Sequence, residues 1–147
     1  MRIAFVGTGS MGSALLEGVQ ASTDAQIVAT CASTASATRL HERLGVDTLA
    51  VETTSDANIQ AIRGAQFVFV GVKPWMLAQT LKEIAPHLEP QAVVVSMAAG
   101  FSLADMAKHV PTNPVVRIMP NTPSQLGRGV IALSAGCLLY TSPSPRD

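Results

Sequence analysis

The sequence predicts an α/β fold built on a doubly wound, mostly parallel sheet. Strand-like and helix-like segments alternate along most of the chain, a pattern that implies right-handed crossovers between parallel strands. Two strand candidates, Phe67-Val68-Phe69-Val70 and Ala92-Val93-Val94-Val95, are apolar at every position, which suits strands buried on both faces. A glycine-rich turn, Val6-Gly7-Thr8-Gly9-Ser10-Met11-Gly12, joins the first strand to the first helix.

The elements follow in order. Arg2–Val6 is a short apolar β-former, and Ser13 to Val19 behind the turn reads as helix, with Met11, Ala14, Leu15 and Val19 on one face. Further strands are expected at Gln26–Thr30, near Thr48–Val51, and at Phe67–Val72, Ala92–Ser96, Val115–Met119 and Gly129–Leu133. Leu77, Leu81, Ile84, Ala85 and Leu88 recur at helical steps of three and four. Pro74 falls in the first turn of that helix, where its missing N–H is tolerated. Ser102-Leu103-Ala104-Asp105 resembles a capping box, with Asp in place of Glu.

Bulk composition narrows the function classes. The chain has 147 residues, 48% hydrophobic and 14% charged, which describes one globular domain with a core. Ten basic residues balance ten acidic ones, so nothing points to nucleic acid or to an anionic membrane surface. No apolar run has the ~18 residues of a membrane helix, and Met1-Arg2 leads straight into a strand, so no signal peptide is expected. Cys31 and Cys137 have no metal-ligand or redox spacing, and a reducing cytoplasm is the expected setting. His41, His87 and His109 lie far apart and are expected at the surface, with no metal site. No Ser-His-Asp or Cys-His nucleophile arrangement is present.

The glycine turn makes the predicted sheet Rossmann-like and names a ligand class. A strand–GxGxxG–helix unit holds a dinucleotide pyrophosphate against the helix N-terminus. In that reading Gly7 permits the tight turn, Gly9 lets the backbone approach the phosphates, and Gly12 lets the helix pack close to the strand. NAD-preferring sites place Asp or Glu at the end of the second strand, for the ribose 2′-hydroxyl. Here Thr30-Cys31-Ala32-Ser33-Thr34-Ala35-Ser36 contains no acid, and the next is Glu42 inside the following helix. Ser33, Thr34 and Ser36 suit a 2′-phosphate, with Arg39 one turn away as a cation, so NADP(H) is the expected cofactor and NADH the weaker alternative. The same hydroxyls also read as a plain helix-capping loop.

Three later strand ends point toward the same cleft, because ligands of open α/β sheets bind at carboxyl strand ends near the switch point. Gly71-Val72-Lys73-Pro74 offers Lys73, or leaves it as a solvated strand-end lysine. Ser96-Met97-Ala98-Ala99-Gly100 is small enough for a nicotinamide ring to approach the backbone, or for tight packing alone. Met119-Pro120-Asn121-Thr122-Pro123 is stiffened by two prolines, so Asn121 and Thr122 either meet the nicotinamide or substrate edge or complete a structural turn. Trp75 and Met76 either shield the cleft or belong to core or surface.

Together these motifs resemble pyrroline-5-carboxylate reductase, across Arg2 to Gly136. The carriers are Phe5 to Gly12, Val72-Lys73-Pro74, Ser96 to Gly100 and Arg117-Ile118-Met119-Pro120-Asn121-Thr122-Pro123. The resemblance implies that the phosphates lie on Gly7, Thr8, Gly9, Ser10, Met11 and Gly12, with Ser33 and Thr34 in the 2′-phosphate loop. It implies that Asn58, Val72, Lys73 and Pro74 also contact the cofactor, and that Met97, Ala98, Ala99 and Gly100 lie near the nicotinamide. It implies NADPH-dependent reduction of the cyclic imine 1-pyrroline-5-carboxylate to L-proline, with no catalytic acid or base assigned.

Two departures accompany the resemblance. Asp47 to Asp56 is longer than is usual in the family. The family's C-terminal helical domain, which forms the dimer and the substrate pocket, has no counterpart in the chain. Cys137 to Asp147 matches one reading frame of a sequencing-library adapter, so residues 1–136 are expected to form the dinucleotide domain and 137–147 a non-native or disordered tail. The expected parent is a homo-oligomer built on a dimer, acting on a small molecule, and the chain alone is expected to be inactive. Two alternatives stand beside this reading. One is another NADP-linked dehydrogenase of the same superfamily, such as a 3-hydroxyacid dehydrogenase or a deazaflavin-linked oxidoreductase. The other is a non-enzymatic nucleotide-binding domain.

Overall fold

In the computed structural model, residues 1–97, 102–119 and 132–135 are described. Seven strands form one sheet: β1 (Arg2–Val6), β2 (Gln26–Cys31), β3 (Asp47–Ala50), β4 (Phe67–Val70), β5 (Val93–Ser96), β6 (Val115–Met119) and β7 (Ala132–Ala135). Five helices connect them: α1 (Ser10–Ser22), α2 (Thr34–Leu44), α3 (Ala57–Ile62), α4 (Pro74–Ile84) and α5 (Leu103–His109). The strand order is β3-β2-β1-β4-β5-β6-β7. The first six strands pair in parallel, and β7 runs antiparallel to β6. The order reverses between β1 and β4, which makes that crevice the switch point where such sheets bind ligands.

Two cores, one on each face of the sheet, account for most of the apolar strand positions; Phe67, expected buried, is exposed at the start of β4, and Phe69 and Val93 are half-buried. Ala4, Val6, Val68, Val70 and Val94 point to one face, packed with Ala61 and Ile62 of α3, Leu77, Leu81 and Ile84 of α4, and Met106 of α5. Ile3, Phe5, Ile27, Ala29 and Val95 point to the other, with Leu15 and Leu16 of α1 and Ala37 and Leu40 of α2. The Phe5 and Phe69 rings stack there at 4.7 Å between centroids. Every second residue of β1 thus serves each face, and both faces are buried.

Local signals place the helix ends. Ser102 Oγ accepts from the Asp105 amide at 3.1 Å, the first half of the expected capping box. Pro74 opens α4 at its first turn. Gly45 ends α2 at φ +71, and its amide donates to the His41 carbonyl. The buried Asn113, just before β6, ties that strand's start to the loop before β5, donating to the Glu89 and Ala92 carbonyls at 2.9 and 3.0 Å.

Several boundaries differ from expectation. β4 ends at Val70, not Val72: the Gly71 amide makes the last ladder bond, to Val6 O at 2.8 Å, and Gly71 and Val72 then pass against Gly7 of the turn. β2 runs one residue further, to Cys31, and β5 starts one later, at Val93. β3 starts and ends one residue earlier than expected, at Asp47 and Ala50; β7 is described at Ala132–Ala135, and residues 129–131 of the expected Gly129–Leu133 strand lie outside the described residues. On α1 the fully buried residue is Leu16, outside the expected stripe. The six-residue α3 is too short to show a helical period in sequence.

Candidate functional site

The glycine turn sits at the switch point, and the reasons for its residues differ from one glycine to the next. Gly7 has φ +74, a conformation L residues rarely adopt. A Cβ there would lie 2.3 Å from Val72 Cγ1 and 3.0 Å from Val72 N, so strand-end Val72 closes over the turn. Gly9 is the residue preceding α1, at φ −94, and a Cβ on it would meet nothing within 4 Å. It offers no side-chain cap to α1, whose first amides have no partner within the helix. At Gly12 a Cβ would make ordinary contacts, 3.6 Å to Thr8 Cγ2 and 3.8 Å to Met97 Cε. The expected need for close helix–strand packing at Gly12 is therefore not met; the tight contact is at Gly71, where a Cβ would lie 2.7 Å from Met97 Cε and 3.0 Å from Gly7 O.

Thr30, fully buried at the end of β2, holds the turn in place. The Gly7 amide donates to Thr30 Oγ1 at 2.9 Å, and the Thr8 amide donates to the Thr30 carbonyl at 2.8 Å. Because the hydroxyl accepts from Gly7, its own proton goes to Asn58 Oδ1, at 2.7 Å. That leaves the Asn58 amide nitrogen to donate to Glu83 Oε1 at 3.3 Å. Asn58 thus supports the glycine turn through Thr30 as well as lining the cleft.

A cleft of about 490 Å³ runs beside the turn. Gly7, Thr8, Gly9, Gly12, Asn58, Val72 and Lys73, all picked out in sequence, line it together. Thr30, Glu52, Met76 and Thr80 join them. Lys73, Pro74, Trp75 and Met76 are exposed, Trp75 at 78% and Met76 at 46%, and of these four Lys73 and Met76 line the cleft. A second groove, of about 600 Å³, runs between α1 and α2 past Ser13, Glu17, Ser36, Arg39 and Arg43. Arg43 and Glu17 pair across it at 3.4 Å. Ser10 and Met11 begin α1. Met97 follows β5, its amide donating to Val70 O at 3.2 Å. Ala98, Ala99, Gly100, Asn121 and Thr122 lie outside the described residues, as do residues 137–147.

The loop after β2 is both a helix cap and more charged than its own sequence shows. Ser33 Oγ accepts from the Ser36 amide at 3.2 Å and caps α2. Arg39 Nη2 donates to Ser36 Oγ at 3.3 Å. The Thr34 amide and hydroxyl both donate to one oxygen of Glu52, Oε2, at 3.0 Å each. These bonds hold the exposed Glu52 carboxyl below its usual range, the backbone donor contributing most. The loop is acid-free in its own residues, but an acid from the end of β3 stands on it. Glu52 is invisible in the β2 loop because it lies beyond the next helix. The signal for it is register: Val28 pairs with Asp47 and Cys31 with Ala50, an offset that sets residue 52 level with residue 33.

Cys31 lies under Thr8 and borders both grooves, its thiol raised by burial, with Arg39 pulling weakly the other way. Among the described residues no cluster of His, Cys, Asp and Glu could hold a metal ion, and no helix is long and apolar enough to cross a membrane. His41 and His87 are exposed and His109 half-buried. The His41 Nδ1 lies 2.8 Å from the Val46 carbonyl, which ties α2 to the start of β3.

Known proteins resemble the chain in sequence and in fold. A pyrroline-5-carboxylate reductase of Corynebacterium melassecola is 37% identical over 140 residues, covering 91% of this chain and 50% of the relative. Pyrroline-5-carboxylate reductase 3 of Danio rerio is 32% identical over 140 residues, covering 92% of this chain and 46% of the relative. The solved pyrroline-5-carboxylate reductase of Coxiella burnetii superposes with a TM-score of 0.80 at 28% identity, covering 92% of this chain and 49% of that one. The chain spans about half the length of the curated relatives it matches. Residues 2–100 match the family model described as "NADP oxidoreductase coenzyme F420-dependent". With more than half of its residues inside that match, at the glycine turn and the strand ends around it, the chain belongs to the coenzyme F420-dependent NADP oxidoreductase family.

Proposed function

We propose that residues 1–136 form the dinucleotide-binding domain of an NADP(H)-dependent reductase that converts 1-pyrroline-5-carboxylate to L-proline. The observation that carries the site is the open space at Gly9 before α1, which has no side-chain cap: a Cβ there would touch nothing, and the first amides of a helix have no partner within it. The similarity to pyrroline-5-carboxylate reductases over more than nine-tenths of the chain supports the substrate.

In this reading Gly7, Thr8, Gly9, Ser10, Met11 and Gly12 hold the pyrophosphate on backbone amides. Ser33 and Thr34 face the adenosine ribose, and Asn58, Val72, Lys73 and Pro74 form the adenosine side of the cleft. Met97, Ala98, Ala99 and Gly100 bound the nicotinamide, with Asn121 and Thr122 at the substrate edge. Bound NADPH supplies a hydride from its nicotinamide. The chain's own residues orient the cofactor and exclude water from it, bringing donor and acceptor to about 3–3.5 Å. The imine pocket and the dimer contact belong to the half of the relatives that this chain does not span, and the parent works as a homo-oligomer in the cytoplasm.

Calorimetry of the 147-residue chain with NADPH tests the domain, and NADPH oxidation by the full-length gene product with 1-pyrroline-5-carboxylate tests the reaction. Saturable binding by the chain without turnover, and imine-dependent oxidation by the full-length protein, are expected. Absence of NADPH binding refutes the cofactor site. Binding with no imine-dependent oxidation refutes the substrate. The description of the family model favours one second reading, a deazaflavin-linked oxidoreductase, which a full-length assay with coenzyme F420 in place of the imine distinguishes.

A further inference from the structure

Glu52 is set on the loop that this reading assigns to the adenosine ribose, and its position is held by backbone. The Val51 amide donates to Cys31 O at 2.9 Å and the Glu52 amide to Ala32 O at 3.2 Å, so the β2–β3 pairing continues past the end of both strands. The Thr53 and Thr54 amides then turn back to Ala50 O at 3.2 and 2.9 Å. Glu52 is thereby fixed at the mouth of the cleft, beside the first turn of α2. Its Oε2 takes both donors of Thr34, the amide and the hydroxyl.

A carboxylate at a helix N-terminus and a phosphate ester ask for the same donors and carry the same sign of charge. A ribose 2′-phosphate brought to Thr34 meets donors already engaged and an anion beside them. A ribose 2′-hydroxyl meets an acceptor instead, the role that an acid at the end of β2 fills in NAD-preferring sites. Arg39, on Ser36 in the same loop, pulls the other way. We propose that Glu52 is a specificity-determining residue, whose carboxylate stands in for the 2′-phosphate on Thr34 and lowers the preference for NADP(H) over NAD(H). The inference rests on the dinucleotide reading of the cleft.

The test is the affinity of the 147-residue chain for NADPH and for NADH, by calorimetry, in the wild type, Glu52→Gln and Glu52→Ala. Gln keeps an acceptor for Thr34 and removes the charge, so it separates charge from local structure. Removing one anion beside the phosphate is expected to tighten NADPH about tenfold. NADH is expected to stay within about twofold for Gln and to weaken for Ala, which loses the acceptor. Urea unfolding midpoints, measured alongside, identify a variant that has lost its fold, and the other variant then decides. If both nucleotides bind and the NADPH-to-NADH ratio is the same in all three proteins, the role of Glu52 is overturned while the cleft remains a dinucleotide site. If the wild type binds neither nucleotide, the dinucleotide reading falls, and the role of Glu52 falls with it.

Discussion

Gly7 and Gly9 stand two residues apart in one turn, yet alanine should act on them in opposite ways. At Gly7 the backbone sits at φ +74, which a residue bearing a Cβ reaches at about 1–2 kcal/mol. The new methyl would also lie 2.3 Å from Val72 Cγ1 and 3.0 Å from Val72 N. The valine side chain can rotate away; the backbone nitrogen cannot, and its neighbour Gly71 is anchored to Val6 O at 2.8 Å. Overpacking of this kind adds about 1–3 kcal/mol. Gly7→Ala should therefore lose ~2–5 kcal/mol of unfolding free energy, a large part of the ~7–15 kcal/mol expected for a chain of this size. At Gly9 the backbone is extended and a Cβ has no neighbour within 4 Å, so Gly9→Ala should change stability by less than about 1 kcal/mol. The same methyl would stand in the space where a pyrophosphate oxygen approaches the amides, so NADPH affinity should fall at least ~10-fold. Urea unfolding followed by far-UV circular dichroism gives the first quantity and calorimetry the second. A Gly7→Ala protein within ~0.5 kcal/mol of wild type refutes the strain argument. A Gly9→Ala protein that folds and binds NADPH as tightly as wild type refutes the phosphate role of the turn.

Other expectations concern the groups around the turn. Thr30→Val leaves the Gly7 amide and Asn58 Oδ1 without the hydroxyl that joins them, and should lose about 1–3 kcal/mol, most of it restored in Thr30→Ser; equal stability of the valine and serine variants in urea would contradict this. The Glu52 carboxyl titrates below its usual range in the folded chain, so its contribution is present above the unfolded carboxylate pKa and lost as pH falls through the lower folded value. The stability gap between wild type and Glu52→Gln should therefore shrink on acidification, and a gap that widens in acid denaturant titrations refutes the Thr34 bonds. In a Cys137→Ser background the buried Cys31 thiol, raised by burial, should react with a disulfide reagent more slowly than free cysteine at pH 8. Reaction at the rate of the free amino acid would show that the floor of the turn opens.

Much of the fold can be read along the chain because its physics is local. The apolar runs Phe67–Val70 and Ala92–Val95 call for a sheet covered on both faces, and the cores on either side of β1 meet that requirement for most of their residues, Phe67 remaining exposed. The Ser102 cap, Pro74 at the start of α4 and the turn at Gly7 each depend on residues within a few positions of one another. The wall of the cleft is less local. Gly7, Val72 and Lys73 could be named from motifs and Asn58 from the resemblance, but Thr30, Met76 and Thr80 join them only because β1, β2 and β4 lie side by side.

The sequence alone determined the doubly wound sheet, the glycine turn and the strand ends that surround it, since hydrophobic period and glycine spacing act over short distances. Tertiary structure decided what stands on the loop after β2. Eighteen residues separate Thr34 from Glu52, and their meeting depends on the parallel register of β2 against β3, which no local pattern states. It also decided which glycines are needed: Gly7, pressed against Val72 just past β4, and Gly71 beside Met97, while a Cβ on Gly12 would make only ordinary contacts. Close approach between distant segments is a property of the packed sheet, and the pairing of its strands sets where those segments meet.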